Sequence, residues 1–119
     1  MGYYIHLEDP ITGDTLQAEA AHHIRGGTYA VGGTTELSMS VTYNYAKFYY
    51  EHLDREKGIR VLYGMTGAES IPVLSAAIEA LGDDVHDYYW IPTEGNAKRA
   101  LIGLRAFAQM RPDGIWSGD

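Results

Sequence analysis

The densest group of residues that could bind an anion lies between His22 and Glu36, in the stretch HHIRGGTYAVGGTTE. The pattern Gly-Gly-Thr occurs there twice, six residues apart. Glycine accepts positive φ and leaves its amides uncovered, so such a loop can form a concavity of N–H groups around a phosphate. Two interpretations stay open: tight turns between strands, or a phosphate-binding loop. In the second case the binding residues are Arg25, Gly26, Gly27, Thr28, Gly32, Gly33, Thr34 and Thr35.

This loop matches neither of the common phosphate-binding motifs. No lysine follows the glycines as in a Walker loop, and no helix is predicted to open there as the dinucleotide fingerprint requires. The five histidines lack the HxH or HxxxH spacing of metal ligands, and none belongs to a recognisable nucleophile motif. We therefore predict no metal, no cofactor and no catalytic residue. A binding protein is favoured over an enzyme.

Tyrosine is the second unusual feature, with 10 of 119 residues against only 2 phenylalanines. Four tyrosines lie within residues 43–50, and Tyr88, Tyr89 and Trp90 form another aromatic group. Aromatic residues at four positions of one short helix face more than one side, so some must lie outside the core. Such rings stack on a nucleobase, pack against a partner protein or form a tyrosine-rich core rim. The aromatic residues predicted to bind are Tyr43, Tyr45, Tyr49 and Trp90.

Composition excludes several classes of protein. The formal net charge of −7 argues against direct nucleic-acid binding, because phosphate neutralisation needs the opposite sign. The absence of cysteine excludes disulfides, thiolate catalysis and zinc–thiolate sites. No run approaches the roughly 18 to 20 apolar residues of a membrane span, and the first residues lack the pattern of a secretory signal. We expect one cytoplasmic domain over residues 1–119, without a membrane partner.

A small α+β fold is predicted to position these residues. Residues 3–7 and 15–20 flank the turn sequence EDPITGD, which predicts a β-hairpin. Residues 37–43 alternate between apolar and polar, which predicts a half-buried strand. The resulting fold is a small antiparallel sheet of about three strands in the N-terminal half, covered on one face by about three α-helices from the C-terminal half.

Capping residues delimit the first two helices. The first is predicted to run from Asn44, as N-cap, to Gly58. The second has an apolar stripe at helical spacing and is predicted to begin after Ser70. A start after Thr66 would complete a capping box, but it would place Pro72 in the helix interior.

The last helix is predicted from Thr93, as N-cap, to a stop at Pro112. Its inward side chains are predicted to be Ala97, Ala100, Leu101, Leu104 and Ala108. Residues 59–63 fit either a short strand or an irregular helical turn, and that choice stays open. The C-terminal segment IWSGD is predicted to fold back and bury Ile115 and Trp116.

Four segments, RGGTYAVGGTTE, VTYNYAKFYYEHL, YGMTGAESIP and RPDGIWSGD, together resemble a family of small uncharacterised proteins encoded by phages, prophages and other mobile elements. The likeness extends over nearly the whole chain. Small acidic, cysteine-free phage proteins often inhibit host defence, either by capping a defence protein or by sequestering a nucleotide signal. The resemblance therefore implies a role against host defence.

Three functions are compatible with these observations. The leading one is a binder that sequesters a small nucleotide-derived signalling molecule, with phosphate at the glycine loop and the base on aromatic rings. Such proteins usually form symmetric oligomers with pockets across an interface, so a homo-oligomer is expected. The alternative is an anti-CRISPR-like inhibitor whose acidic, tyrosine-rich surface blocks a host defence protein. A hydrolase of the same signal is the third.

Overall fold

The computed structural model of the chain describes residues 2–22, 33–88 and 90–119. Its strands and helices, in chain order, are β1 (Gly2–Glu8), β2 (Gln17–His22), β3 (Thr34–Glu36), β4 (Ser38–Thr42), α1 (Ala46–His52), α2 (Gly67–Ala80), α3 (Glu94–Met110) and β5 (Ile115–Gly118). The fold is α+β, with a small antiparallel sheet and three helices, as the sequence predicts. None of the helices in the described ranges is long and apolar enough to cross a membrane.

The main sheet has three strands in the order β4-β1-β5, and both pairings of β1 are antiparallel. Alternate residues of β1 face the core, and Tyr3, Ile5 and Leu7 are buried there. In β4 the core-facing residues are Met39 and Val41, which confirms the strand predicted from the alternation at 37–43. The same core contains the inward faces of α2 and α3.

The predicted hairpin is reduced to a single bridge. The chain does reverse after β1, where the Asp9 carboxylate accepts hydrogen bonds from the amides of Ile11 and Thr12. After the bridge between Glu8 and Thr15, however, β2 leaves β1 and pairs with β3 in a separate two-stranded sheet. The reason is that both edges of β1 are taken, one by β4 and the other by β5.

The C-terminal segment folds back as predicted and also adds a strand. Trp116 is buried as predicted, whereas Ile115 is only half-buried, and β5 pairs with β1 from Ile5 to Glu8. The outer edge of β5 is covered in turn, because Trp116 exchanges backbone hydrogen bonds with Gly64 and Met65. The third strand of the main sheet thus comes from the C-terminal end of the chain.

α1 begins later than the predicted helix. A 3-10 turn, Tyr43–Tyr45, precedes it, and Thr42 Oγ1 accepts a hydrogen bond from the Asn44 amide at 3.3 Å. The prediction of Asn44 as N-cap is therefore wrong. β4 ends at Thr42, so the first amide that needs a partner lies two residues later, within reach of that hydroxyl.

α1 also ends earlier, because of Asp54. Its carboxylate accepts hydrogen bonds from the amides of Glu56 and Lys57, at 3.0 and 2.7 Å, which turns the backbone out of the helix. Gly58 follows with a φ of +58°, and a second 3-10 turn, Gly58–Leu62, continues the chain. Residues 59–63 therefore form a helical turn, not a strand.

The N-cap of α2 is Thr66, so the prediction of Ser70 as the cap is wrong. The full capping box forms: Thr66 Oγ1 accepts from the Glu69 amide at 3.1 Å, and Glu69 Oε1 accepts from the Thr66 amide at 3.0 Å. Ser70 is instead buried, where its hydroxyl donates to the Gly67 carbonyl and accepts from Trp116 Nε1. These four hydrogen bonds offset the cost of an exposed Pro72 inside the helix.

α3 has the predicted N-cap and the predicted inward face. Thr93 Oγ1 accepts a hydrogen bond from the Asn96 amide at 3.1 Å. The five predicted inward side chains, Ala97, Ala100, Leu101, Leu104 and Ala108, are all buried. The helix ends before Pro112, and Gly114 follows in a turn that leads into β5.

Candidate functional site

Most of the predicted phosphate loop cannot be placed. Arg25, Gly26, Gly27, Thr28 and Gly32 lie outside the described residues. Gly33 is exposed just before β3, and the two threonines after it serve the small sheet. Thr34 Oγ1 accepts from the Glu36 amide at 3.1 Å, and the Thr35 hydroxyl donates to Gln17 Oε1 at 2.6 Å. The phosphate loop therefore stays a prediction.

Two of the predicted stacking residues, Tyr45 and Tyr49, lie in the core. Their rings contact each other edge-on, with centroids 6.3 Å apart. The Tyr49 hydroxyl donates to the Ala97 carbonyl at 3.0 Å and ties α1 to α3, and complete burial raises the pKa of Tyr49 well above its ordinary value. Tyr45 ends the 3-10 turn before α1 and Tyr49 lies in α1, and their spacing of four residues is the core pattern of a helix, a signal that the sequence did contain.

The exposed tyrosines at this junction are Tyr43 and Tyr50, at 44% and 37% exposure. Both act on the buried Tyr3: the ring of Tyr43 meets it edge-on at 4.7 Å between centroids, and Tyr50, after burial, raises the pKa of the Tyr3 hydroxyl. The Arg60 guanidinium lies 4.7 Å from the centroid of the Tyr3 ring. We call Tyr3, Tyr43, Tyr50 and Arg60 the tyrosine patch. It places two exposed rings and one exposed cation around a single buried ring.

Arg60 is held in place by the backbone of the C-terminal residues. Its Nε donates to the backbone oxygen of Asp119 at 2.9 Å, and Asp119 is fixed by accepting a hydrogen bond from the Tyr4 amide at 2.8 Å. Within the described ranges no other hydrogen bond engages the guanidinium, so its terminal N–H groups are available to an anion. The positive charge of Arg60 also lowers the pKa of Tyr3, against a larger raising effect of burial.

Arg60 is not among the residues that the sequence predicts to bind. A signal existed in the distribution of charge, because residues 47–60 contain four of the nine basic residues of an acidic chain. These are Lys47, Arg55, Lys57 and Arg60. No motif marks them, and only the fold brings Arg60 onto the ring of Tyr3.

A second exposed aromatic group lies in the segment 82–92, which we call the acidic aromatic loop. The rings of Tyr88 and Trp90 are stacked at 4.9 Å with an interplanar angle of 17°, and His86 lies 5.3 Å from Tyr88. Val85, Tyr88 and Trp90 are about half exposed, at 51%, 56% and 46%. Three exposed carboxylates, those of Asp83, Asp84 and Asp87, lie in the same segment. Trp90 is thus exposed as predicted, but in acidic surroundings.

The described residues of the acidic aromatic loop, 82–88 and 90–92, belong to no helix or strand, and the buried side chain of Asn96 holds their backbone. Asn96 Oδ1 accepts a hydrogen bond from the His86 amide at 3.2 Å. Its Nδ2 donates to the carbonyls of Tyr88 and Ile91, at 3.2 and 3.0 Å. Three hydrogen bonds from one amide therefore determine the path of the loop.

Further contacts tie the loop to its neighbours. The Asp84 carboxylate accepts from the Gly95 amide at 3.1 Å, where it also meets the positive end of the α3 dipole. Asn44 Nδ2 donates to the Trp90 carbonyl at 2.8 Å, so the two aromatic groups named by the sequence are joined through Asn44. The described residues of the loop are therefore tied to α3 and to the 3-10 turn before α1 despite their exposure.

The polar face of the main sheet places a histidine beside a carboxylate. His6 Nε2 lies 2.9 Å from Glu8 Oε1, and Ser38 is the strand partner of His6 on β4. The other ring nitrogen, Nδ1, is buried without a hydrogen-bond partner, so no hydroxyl contacts the base. Among the described residues, no group of three or more His, Asp or Glu could hold a metal ion.

Comparison with known proteins gives no relative: no family model, no curated protein and no solved structure matches the chain. The resemblance to phage and prophage proteins is therefore neither supported nor contradicted, and it stays a prediction. The function must be inferred from the two exposed aromatic groups themselves.

Proposed function

We propose that the protein binds a small nucleotide-derived signalling molecule and sequesters it without chemical change. The observation that carries the proposal is the position of Arg60, an exposed guanidinium lying over Tyr3, the ring that the exposed Tyr43 also contacts. A nucleotide offers a base that stacks on an aromatic ring and a phosphate that pairs with arginine. The tyrosine patch has both partners within one cluster.

The tyrosine patch lies in a segment of slightly positive charge. The chain carries a net charge of −7, yet residues 43–60 contain four basic and three acidic residues. Their local net charge of +1 leaves −8 for the rest of the chain. An anionic ligand therefore meets less repulsion from this segment than the net charge of the chain suggests.

In the proposed complex the base stacks on Tyr43 or Tyr50, and a phosphate accepts hydrogen bonds from the terminal N–H groups of Arg60. The buried Tyr45 and Tyr49 support the patch from below and do not contact the ligand. Arg25 and the glycine loop supply a second phosphate contact. A mobile-element protein of this kind removes the signal from host defence in the cytoplasm, as a homo-oligomer.

Substitution of Arg60 tests the proposal. A charge-assisted hydrogen bond to phosphate contributes about 1.5 to 3 kcal/mol, so Arg60→Ala should weaken nucleotide binding about tenfold or more in calorimetric titration. Arg55→Ala removes an exposed arginine from the same basic segment, and it should leave the affinity nearly unchanged. Heating the complex should then release the nucleotide intact.

Three results would count against the proposal. Absence of binding to every member of a panel of mono-, di- and cyclic nucleotides would remove it. Equal losses in Arg60→Ala and Arg55→Ala would move the phosphate away from the tyrosine patch. Release of a cleaved nucleotide would show that the protein is a hydrolase of the signal and not a binder.

A further inference from the structure

The acidic aromatic loop has hydrogen bonds to its backbone, while its apolar side chains stay exposed to solvent. Burial of a large aromatic ring stabilises a fold by about 1.5 to 3 kcal/mol, and a flexible loop would be free to turn such rings inward. Here the three hydrogen bonds of Asn96 hold the backbone at His86, Tyr88 and Ile91. Trp90 and Tyr88 stay half exposed beside these anchored positions. Exposed apolar groups on a rigid support are typical of interaction surfaces.

One carboxylate in the acidic aromatic loop is available to a partner. Asp83 is paired with Lys98 at 2.6 Å, and Asp84 accepts a hydrogen bond from the Gly95 amide. Asp87, by contrast, makes no hydrogen bond or ion pair with the described part of the chain and is exposed. It immediately precedes Tyr88 in the chain, so the segment with the stacked rings also carries an exposed negative charge.

A stacked aromatic pair beside a free carboxylate fits the arginine side chain best. The planar guanidinium stacks on an indole or phenol ring and pairs with a carboxylate through two parallel N–H groups. A lysine ammonium offers the charge without the planar face. Nucleic acid is disfavoured here, because its phosphates would meet Asp83, Asp84 and Asp87.

We propose that the acidic aromatic loop is a preformed docking surface for a basic segment of a partner protein, in which an arginine side chain stacks on the Tyr88–Trp90 pair and pairs with Asp87. This surface is separate from the tyrosine patch and does not depend on nucleotide binding. The inhibitor interpretation of the sequence takes this specific form. Preorganisation by Asn96 lowers the entropic cost of docking.

The probes are three capped four-residue peptides, of arginine, lysine and glutamate, added to the whole chain. The indole N–H resonance of Trp90 reports on binding, and that of the buried Trp116 is an internal reference. The arginine peptide should shift the Trp90 signal and leave Trp116 in place. The lysine peptide should bind more weakly and the glutamate peptide not at all.

Two variants and one control complete the test. Trp90→Ala and Asp87→Asn should each weaken binding of the arginine peptide about tenfold, the loss expected for a charge-assisted or cation–π contact; peptide binding to the Trp90 variant is followed by calorimetry. Glu79→Gln removes an exposed acid from α2 and should have almost no effect.

Four outcomes overturn the proposal. In the first, no peptide binds. In the second, arginine and lysine peptides bind equally, which means unspecific attraction to an acidic surface. In the third, Asp87→Asn and Glu79→Gln behave alike. In the fourth, sedimentation shows that Trp90→Ala dissolves an oligomer of the chain itself, in which case the loop is an interface between copies.

Discussion

The two exposed aromatic groups are supported in opposite ways. The tyrosine patch lies where regular elements meet, with Tyr3 near the start of the central strand β1 and paired with Val41 of β4. Core residues hold it, including the buried Tyr49 of α1. The described residues of the acidic aromatic loop, 82–88 and 90–92, belong to no helix or strand, and one amide side chain supplies three of their backbone hydrogen bonds. The patch should therefore tolerate single substitutions that the loop does not.

The two groups also differ in charge. The patch has the cation Arg60 over its buried ring, whereas three carboxylates lie in the loop. An acidic chain that separates these charges presents two surfaces for chemically different ligands. The following substitutions test how far this contrast in support goes, from the largest expected effect to the smallest.

Asn96→Ala should have the largest effect. It removes three hydrogen bonds and leaves the amide of His86 and two carbonyls without their partner, which costs about 3 kcal/mol in the free energy of unfolding. Hydrogen exchange should rise over residues 82–92 while the tyrosine patch stays protected. Asn96→Asp keeps the acceptor for His86 but sets a buried carboxylate against two carbonyl oxygens, so it should lose at least as much. Unchanged denaturant midpoints would show that the loop has other support.

Thr42→Ala tests the patch in the same way. Loss of the N-cap hydroxyl should cost about 1 kcal/mol, the usual value for a cap. The contact between the rings of Tyr43 and Tyr3 should survive, because it rests on sheet pairing and on the packing of α1. Nuclear Overhauser effects between the two rings give the readout, and their disappearance would make the patch as fragile as the loop.

Tyr63→Phe should have the smallest effect, confined to alkaline pH. Burial raises the pKa of Tyr63 to about 12, with a further raise from the Asp119 carboxylate and an opposing effect of Arg60. The folded state thus favours the neutral phenol. Its contribution to stability is full below pH 10 and is lost as the pH rises through about 12.

Chemical denaturation of both proteins between neutral pH and pH 12 measures this difference. The wild-type chain should lose more stability over the alkaline range than Tyr63→Phe, and ultraviolet absorbance should show one late-titrating phenol fewer in the variant. In Arg60→Ala the opposing charge is gone, so the pKa of Tyr63 should rise further. Identical alkaline profiles would place Tyr63 outside the electrostatic reach of the patch.

Sequence predicted the elements whose signals are local. α3 followed from a cap at Thr93 and a continuous apolar stripe, and β4 followed from alternation. The cap of α2 was mispredicted because Ser70 is stabilised from far away, by the Nε1 donor of Trp116. The pairing of β2 with β3 in place of β1 could not be predicted either, because it depends on β5 at the other end of the chain.

The candidate site shows the same difference between local signals and long-range contacts. Helical spacing could have assigned Tyr45 and Tyr49 to the core, since that information is local. No local pattern brings Arg60 onto Tyr3, or leads one amide of α3 to organise a loop ten residues upstream. Sequence therefore named aromatic residues of both groups, but not the cation or the buried amide that give each group its chemistry.

The central position of β1 has a consequence for folding kinetics. Its neighbour β5 is so distant that the hydrogen bond from the Tyr4 amide to Asp119 closes a separation of 115 positions. Loops of this length must be closed before the sheet has any central strand paired on both sides, which slows folding relative to chains with local contacts. The helical pair α2 and α3, adjacent in sequence and closely packed, can form earlier. β1 can then be paired on both sides only after β5 has been synthesised, and this late pairing should dominate the folding rate.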